Sequence, residues 1–210
     1  MSIIKRGEGD FVPPDYVKIT SKEALEHQLK IIGSRKPSEV WAFAYGPGIL
    51  TLVATTTGAA ITGLVRRKLK LQQFGRIAML AAGISMPAVL LPFAQHKAVV
   101  EGIVMQNHCP VCLQLRSAAV QAGLGIAYPT FLSFLSGFYL AERYATYRLP
   151  LLNTKTFPEY VTIARGMVRP LKNQFLTFFI INTLAAMFIT DRQGSCFYRI
   201  MQELNGNADD

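Results

Sequence analysis

Residues 77–95 read IAMLAAGISMPAVLLPFAQ, residues 109–112 read CPVC, and residues 117–141 read SAAVQAGLGIAYPTFLSFLSGFYLA. The two long runs contain 19 and 25 residues, and neither has an Asp, Glu, Lys, Arg or His. A helix rises about 1.5 Å per residue, so a run of about 20 residues crosses the roughly 30 Å of a bilayer's hydrocarbon core. This stretch therefore predicts a hairpin of two membrane helices with a CxxC sequence in the loop that joins them.

Two further uncharged runs flank the hairpin, Val40–Val65 with 26 residues and Asn173–Thr190 with 18. A soluble domain would distribute its apolar residues as stripes with polar residues facing water. The clustering instead predicts an all-α membrane protein, a bundle of about four transmembrane helices. The predicted units are an N-terminal tail 1–39, a membrane domain 40–190 with spans 40–65, 77–95, 117–141 and 173–190, and a C-terminal tail 191–210.

Amphipathic helices are predicted outside the spans. Thr20 and Glu23 have the spacing of a capping box, and Leu25, Leu29 and Ile32 follow on one helical face. Phe157-Pro158 begins a second basic amphipathic segment. Such segments are typical of helices that lie at the membrane interface or on a neighbouring protein. Within the second run, Pro87 and Pro92 predict a kinked span, with a re-entrant segment as the alternative.

The net charge of +9 is concentrated in two loops. Residues 66–76 contain five basic residues and no acidic residue, and residues 142–172 contain six basic and two acidic residues. The central loop 96–116 has two basic residues and one acidic residue. Membrane proteins retain basic loops on the inner side of the membrane, so this pattern predicts topology and not a nucleic-acid partner. The termini and the CxxC are predicted on the opposite side.

The first basic loop also predicts contacts with lipid. Its cluster stops translocation of the first span, and it could bind anionic head groups such as those of cardiolipin. The head-group candidates are Arg66, Arg67, Lys68 and Lys70.

Small residues repeat every four positions in the first and third spans, which lets a neighbouring helix approach closely. Two interpretations stay open for these ridges: packing inside the bundle, or packing against another protein. The candidates are Thr55, Ala59 and Gly63, then Ala119, Gly123 and Ala127, then Ser133, Gly137 and Ala141.

Cys109 and Cys112 allow three interpretations. A disulfide between them would tighten the hairpin tip in an oxidising compartment. A membrane thiol oxidoreductase would use the pair as attacking and resolving thiols, but such enzymes relay electrons through a second cysteine pair, and only Cys196 remains. A zinc site would need His108 beside the two cysteines and a fourth ligand, for which His96 is the only nearby candidate.

No other catalytic or cofactor motif is present in the sequence. It contains no phosphate-binding loop, and the four runs have none of the ionisable residues that mark transport pathways. We therefore predict no enzyme activity, no catalytic residue, no metal and no cofactor.

The chain resembles the transmembrane protein 126 family of mitochondrial inner-membrane proteins. The resemblance covers roughly residues 40 to 204. It depends on the order and spacing of several short segments: Arg76–Gly83 followed by Pro87 and Pro92, Cys109 and Cys112 followed by Arg116-Ser117, Gly123–Pro129, Ala141 with Arg143-Tyr144, Leu149-Pro150 and Arg169-Pro170.

The resemblance implies a role in assembling the membrane arm of respiratory complex I. The chain would be a scaffold or assembly factor in the mitochondrial inner membrane. Its partners would be other complex I assembly factors and nascent membrane-arm subunits. The basic loops would then face the matrix, and the termini and the CxxC loop would face the intermembrane space.

Overall fold

The computed structural model describes residues 20–71, 74–105, 109–147 and 157–206. These residues form helices and no strand, which confirms the predicted all-α fold. The α-helices are α1 (Ser21–Ser34), α2 (Trp41–Ala44), α3 (Gly46–Lys68), α4 (Arg76–Gln95), α5 (Glu101–Val104), α6 (Pro110–Ala122), α7 (Tyr128–Arg143), α8 (Phe157–Val168) and α9 (Lys172–Gly206). Two π-helical segments, His96–Val100 and Gly123–Ala127, and one 3₁₀ segment, Arg169–Leu171, continue neighbouring helices without a break.

Among the described residues, four continuous helices are long and apolar enough to cross a membrane, as the sequence predicts. We call Gly46–Lys68 the first span, Arg76–Val104 the second, Pro110–Arg143 the third and Pro158–Leu204 the fourth. Consecutive spans run in opposite directions. The bundle therefore has a terminal end, which carries α1, the disulfide region and the end of α9, and a loop end, which carries the basic segments after the first and third spans.

Helix bounds differ from the bounds of the apolar runs. The first run is divided, because α2 ends at Ala44 and α3 begins at Gly46 with Pro47 in its first turn, where the missing proline N–H costs nothing. The second helix continues past Gln95 to Val104 through His96, Lys97 and Glu101. Apolar composition marks the part of a helix that suits lipid, whereas capping and packing determine where the helix ends.

The terminal end has its own apolar core outside the uncharged runs. It brings together α1, the extension of the second span, the start of α6 and the end of α9. Its buried members include Ile32, Val40, Val99, Val100, Ile103, Val104, Leu113, Cys196, Phe197 and Ile200. Arg35 at the end of α1 also forms an ion pair with Glu203 at 3.0 Å, an exposed contact that adds little stability. The predicted amphipathic helix α1 therefore packs on its own chain.

A second core lies at the loop end. It joins the end of the first span, the start of the second, the end of the third and helix α8. Its buried members are Val65, Leu69, Leu71, Met79, Phe138, Ala141, Tyr160 and Met167. A smaller cluster between the two ends contains Leu50, Ala54, Leu91, Ala186 and Ile189.

Glycines bring the first three spans close together. A Cβ added at Gly58 would lie 3.2 Å from the carbonyl oxygen of Gly83 and 3.3 Å from Cβ of Pro129. Gly75 ends the first basic loop with φ +59°, a conformation that glycine adopts without steric cost. Gly58 therefore lies where the first span approaches both the second and the third.

Candidate functional site

Cys109 and Cys112 are joined by a disulfide at the start of α6, with their Cα atoms 5.2 Å apart. Cys109 is the N-cap residue of α6, and its sulfur accepts a hydrogen bond from the Cys112 N–H at 3.1 Å. Both cysteines are exposed. The bond therefore closes the first turn of the third span on the surface of the terminal end.

The other groups considered with these cysteines are separate from them. Cys196 is a free, buried thiol in the core of the terminal end, and its sulfur lies 3.2 Å from the Glu39 carbonyl oxygen. His96 is exposed, and His108 lies outside the described residues. Within the described ranges, no group of three or more His, Cys, Asp or Glu residues could hold a metal ion.

A small cleft of about 120 Å³ lies beside the disulfide, between the second, third and fourth spans. Gln114 donates to a carboxylate oxygen of Asp191 across it at 3.4 Å. The remaining lining is mostly small or apolar: Gly102, Ile103, Pro110, Leu113, Thr190, Gly194, Ser195 and Tyr198.

The bundle interior contains a chain of buried amide and hydroxyl groups. Gln121 of the third span donates to the Leu50 carbonyl oxygen at 2.9 Å and to Oδ1 of Asn182 at 3.1 Å. Asn182 of the fourth span donates in turn to Oγ1 of Thr57 in the first span at 2.9 Å. Three spans are thus linked by side-chain hydrogen bonds.

A second buried pair extends this linkage to the second span. Gln95 donates to the Ser117 hydroxyl at 3.1 Å, and the Ser117 hydroxyl lies 3.3 Å from the Ala186 carbonyl oxygen. Gln95, Gln121 and Asn182 were not among the candidate residues predicted from the sequence. The available signal was an amide side chain inside each of the second, third and fourth apolar runs, because such amides hydrogen-bond across helices in membranes.

The small-residue ridges of the third span have two different surroundings. Ser133, Gly137 and Ala141 are buried in the bundle, and a Cβ added at Gly137 would lie 2.7 Å from Cδ1 of Leu69. The Ser133 hydroxyl lies 2.9 Å from the Thr62 hydroxyl of the first span. This ridge is used for internal packing.

The other ridge of the third span faces outward. Ala119, Gly123 and Ala127 are all exposed, and a Cβ added at Gly123 would meet no atom within 4 Å. Larger exposed residues continue the same face in both directions: Val111, Leu115, Phe131 and Leu135. The result is a shallow depression between bulky neighbours on an uncovered face.

The ridge of the first span is half-buried. Thr55, Ala59 and Gly63 lie beside the positions that contact the other spans, among them Ala54, Gly58 and Thr62. Ala59 and Gly63 line an open groove between the first and fourth spans. Packing of this ridge against a partner therefore stays a prediction.

The basic cluster after the first span is divided by burial. Arg66 is buried, and its guanidinium donates to the Phe74 carbonyl oxygen at 3.0 Å, so it holds the first basic loop against the bundle. Arg67, Lys68 and Lys70 are exposed. Head-group binding stays a prediction for these three, whereas Arg66 is engaged inside the molecule.

Comparisons with known proteins agree with the resemblance in the sequence. The family model described as transmembrane protein 126 matches residues 22–206. A Drosophila melanogaster protein named transmembrane protein 126 is 37% identical over 202 residues, a match that covers 94% of this chain and 90% of the relative. No solved structure matches the chain significantly. With its four candidate spans, the chain is a multi-pass membrane protein that belongs to the transmembrane protein 126 family.

Proposed function

We propose that this protein is a scaffold in the mitochondrial inner membrane for the assembly of the membrane arm of respiratory complex I. The family resemblance in the sequence implies this role. The observation that carries the proposal is the uncovered ridge of Ala119, Gly123 and Ala127, because small residues on an exposed face allow a partner's transmembrane helix to pack closely.

The interior of the bundle supports a binding role over transport. Among its buried polar groups, amides and hydroxyls bond to one another and to backbone carbonyls, as in the chain from Leu50 through Gln121 and Asn182 to Thr57. Such bonds hold helices together, whereas ion pathways use ionisable side chains. The partners we propose are other assembly factors and nascent membrane-arm subunits.

A thiol oxidoreductase is the alternative. Its supporting observation is that the exposed Cys109–Cys112 disulfide lies beside a cleft lined by Pro110, Gln114 and Tyr198. The third cysteine, Cys196, is single and buried, so it offers no second pair for electron relay. Reduction of the purified protein by a dithiol, followed by electron transfer to a quinone, would favour this alternative over the scaffold.

The substitution Gly123→Leu tests the scaffold proposal. The added side chain has open space, so the protein should insert and accumulate normally, but a partner helix could no longer approach and many small dispersion contacts would be lost. Co-migration with assembly intermediates on native gels should then disappear.

Gly166→Leu is the matched control, because Gly166 is exposed on α8 and has equally open surroundings. It should leave co-migration unchanged. Normal co-migration of the Gly123→Leu protein would mean that this face meets only lipid, and the proposed interface would have to be abandoned.

A further inference from the structure

The groove between the first and fourth spans has a volume of about 470 Å³. One wall is made of small residues of the first span, and the other is the beginning of the membrane part of α9. Its lining residues are Ala59, Ala60, Gly63, Leu64, Arg67, Gln174, Thr177 and Phe178. A Cβ added at Gly63 would meet no atom within 4 Å, so the groove is open at its middle.

The groove has the depth of one lipid leaflet. It extends over nine residues of the first span, from Arg67 to Ala59, and the eight steps between them correspond to about 12 Å along the helix axis. The hydrocarbon part of one leaflet is about 15 Å thick. The groove therefore begins at the loop end of the bundle and reaches almost to the middle of the bilayer.

Polar groups are confined to the loop end of the groove. Arg67 is exposed at its mouth, and within the described residues no hydrogen bond or ion pair engages its guanidinium. Gln174 and Thr177 lie across from it, and the described lining contains no Asp or Glu. Exposed Lys68 and Lys172 are close in sequence to the two walls. The mouth is thus cationic, while the deeper part is apolar.

We propose that this groove binds one anionic phospholipid of the leaflet at the loop end. One acyl chain lies along Ala59, Ala60 and Gly63, and the phosphate is held at the mouth by Arg67. Within the basic cluster, this proposal assigns head-group binding to Arg67 at the mouth of the groove.

Both charge and size favour a lipid over a partner helix. The groove ends in a cation at head-group level, which complements a phosphate, and anionic lipids are attracted by basic residues at that level. A helix segment of 12 Å length and 10 Å diameter would occupy about 900 Å³, so about half of it would stand outside the groove.

Native mass spectrometry of the full chain tests the proposal. The protein is released from detergent micelles that contain equal amounts of phosphatidylglycerol and phosphatidylcholine. The unmodified protein should retain one lipid with a preference for phosphatidylglycerol. Gly63→Leu and Ala60→Leu fill the groove and should remove this lipid, whereas Arg67→Gln should keep a lipid and lower the preference about fivefold.

Arg143→Gln is the matched control for charge, because Arg143 is exposed at the end of the third span and does not line the groove. It should retain the preference of the unmodified protein. Circular dichroism and gel filtration establish whether the groove-filling variants fold. If they do not fold, the lipid preference of the exposed Arg67→Gln variant still tests the proposal.

Three results would overturn the proposal: equal retention of the two lipids by the unmodified protein, an unchanged preference in Arg67→Gln, or undiminished retention in a folded Gly63→Leu protein. A photo-cross-linker at position 60 that captured a partner protein and no lipid in intact membranes would also do so.

Discussion

Asn182 is the residue on which the polar interior depends most. It is fully buried, accepts from Gln121 and donates to Thr57 and to the Phe178 carbonyl oxygen. A single amide therefore connects the fourth span to the first and third. Burial of such a group is favourable only because each of its bonds is made.

The substitution Asn182→Leu should lower the free energy of unfolding by about 1–2 kcal/mol, since two side-chain bonds between spans are lost. Unfolding in mixed micelles with increasing sodium dodecyl sulfate measures the change. Asn173→Leu is the control, because Asn173 is exposed on the same helix and should change stability by less than about 0.5 kcal/mol. Equal effects of the two substitutions would mean that the buried bonds contribute nothing.

The disulfide closes a very short loop. The double substitution Cys109→Ser and Cys112→Ser should therefore cost at most about 2 kcal/mol of stability. A serine hydroxyl can also cap a helix, so the start of α6 should persist. Steady-state protein level and co-migration on native gels should stay close to those of the unmodified protein. Normal insertion with complete loss of assembly activity would instead support the redox alternative.

At the scale of the element, the third span has a buried face and an exposed face on one helix. Buried residues recur every four positions from Gln121 to Ala141, and exposed residues recur every four positions from Val111 to Leu135. In a regular helix of about 3.6 residues per turn, residues four positions apart shift progressively around the helix axis. The π segment Gly123–Ala127, in which Tyr128 N–H bonds to Gly123 O, widens one turn and helps to keep each set on its own face.

Substitution of a glycine should therefore lower stability on the buried face and leave it unchanged on the exposed face. Gly137→Leu places a side chain against Leu69, Met79 and Val65, and overpacking of this kind costs about 1–3 kcal/mol. Its unfolding midpoint in mixed micelles should fall, and its cellular level should drop. Gly123→Leu, made on the same helix, should leave both quantities unchanged. Destabilisation by both substitutions would contradict the assignment of one face to the interior.

The sequence predicts features that depend on one segment alone, but not features that depend on how helices pack against each other. The uncharged runs predict four spans because transfer to lipid acts on each segment separately. Which small-residue ridge is buried could not be predicted, because it depends on the rotation of each helix against its neighbours. The ridge that begins at Ala119 and the ridge that begins at Ser133 both repeat every four residues, yet the first is exposed and the second is buried. The basic cluster that contains Arg66 likewise predicts where the first span ends. It does not predict that the Arg66 guanidinium is buried.

At the scale of the whole molecule, the two ends differ in charge and in construction. The terminal end combines α1, the disulfide and the last turns of α9 around one apolar core. The loop end carries two strongly basic segments, residues 66–76 and 142–172. Because α1 and the end of α9 pack together, the beginning of α1 and the end of α9 must lie on the same side of the membrane as the disulfide. A single accessibility measurement therefore assigns the whole topology.

We expect the loop end to face the matrix and the terminal end to face the intermembrane space, because basic loops resist translocation. Lys36→Cys and Lys68→Cys place thiols at exposed positions of the two ends in a Cys109→Ser, Cys112→Ser background. A membrane-impermeant maleimide should label the first variant in mitoplasts. It should label the second only after detergent opens the inner membrane, and the background protein alone, with Cys196 buried, should remain unlabelled. Labelling of Lys68→Cys in sealed mitoplasts, with Lys36→Cys protected, would reverse the assignment and place the basic loops in the intermembrane space.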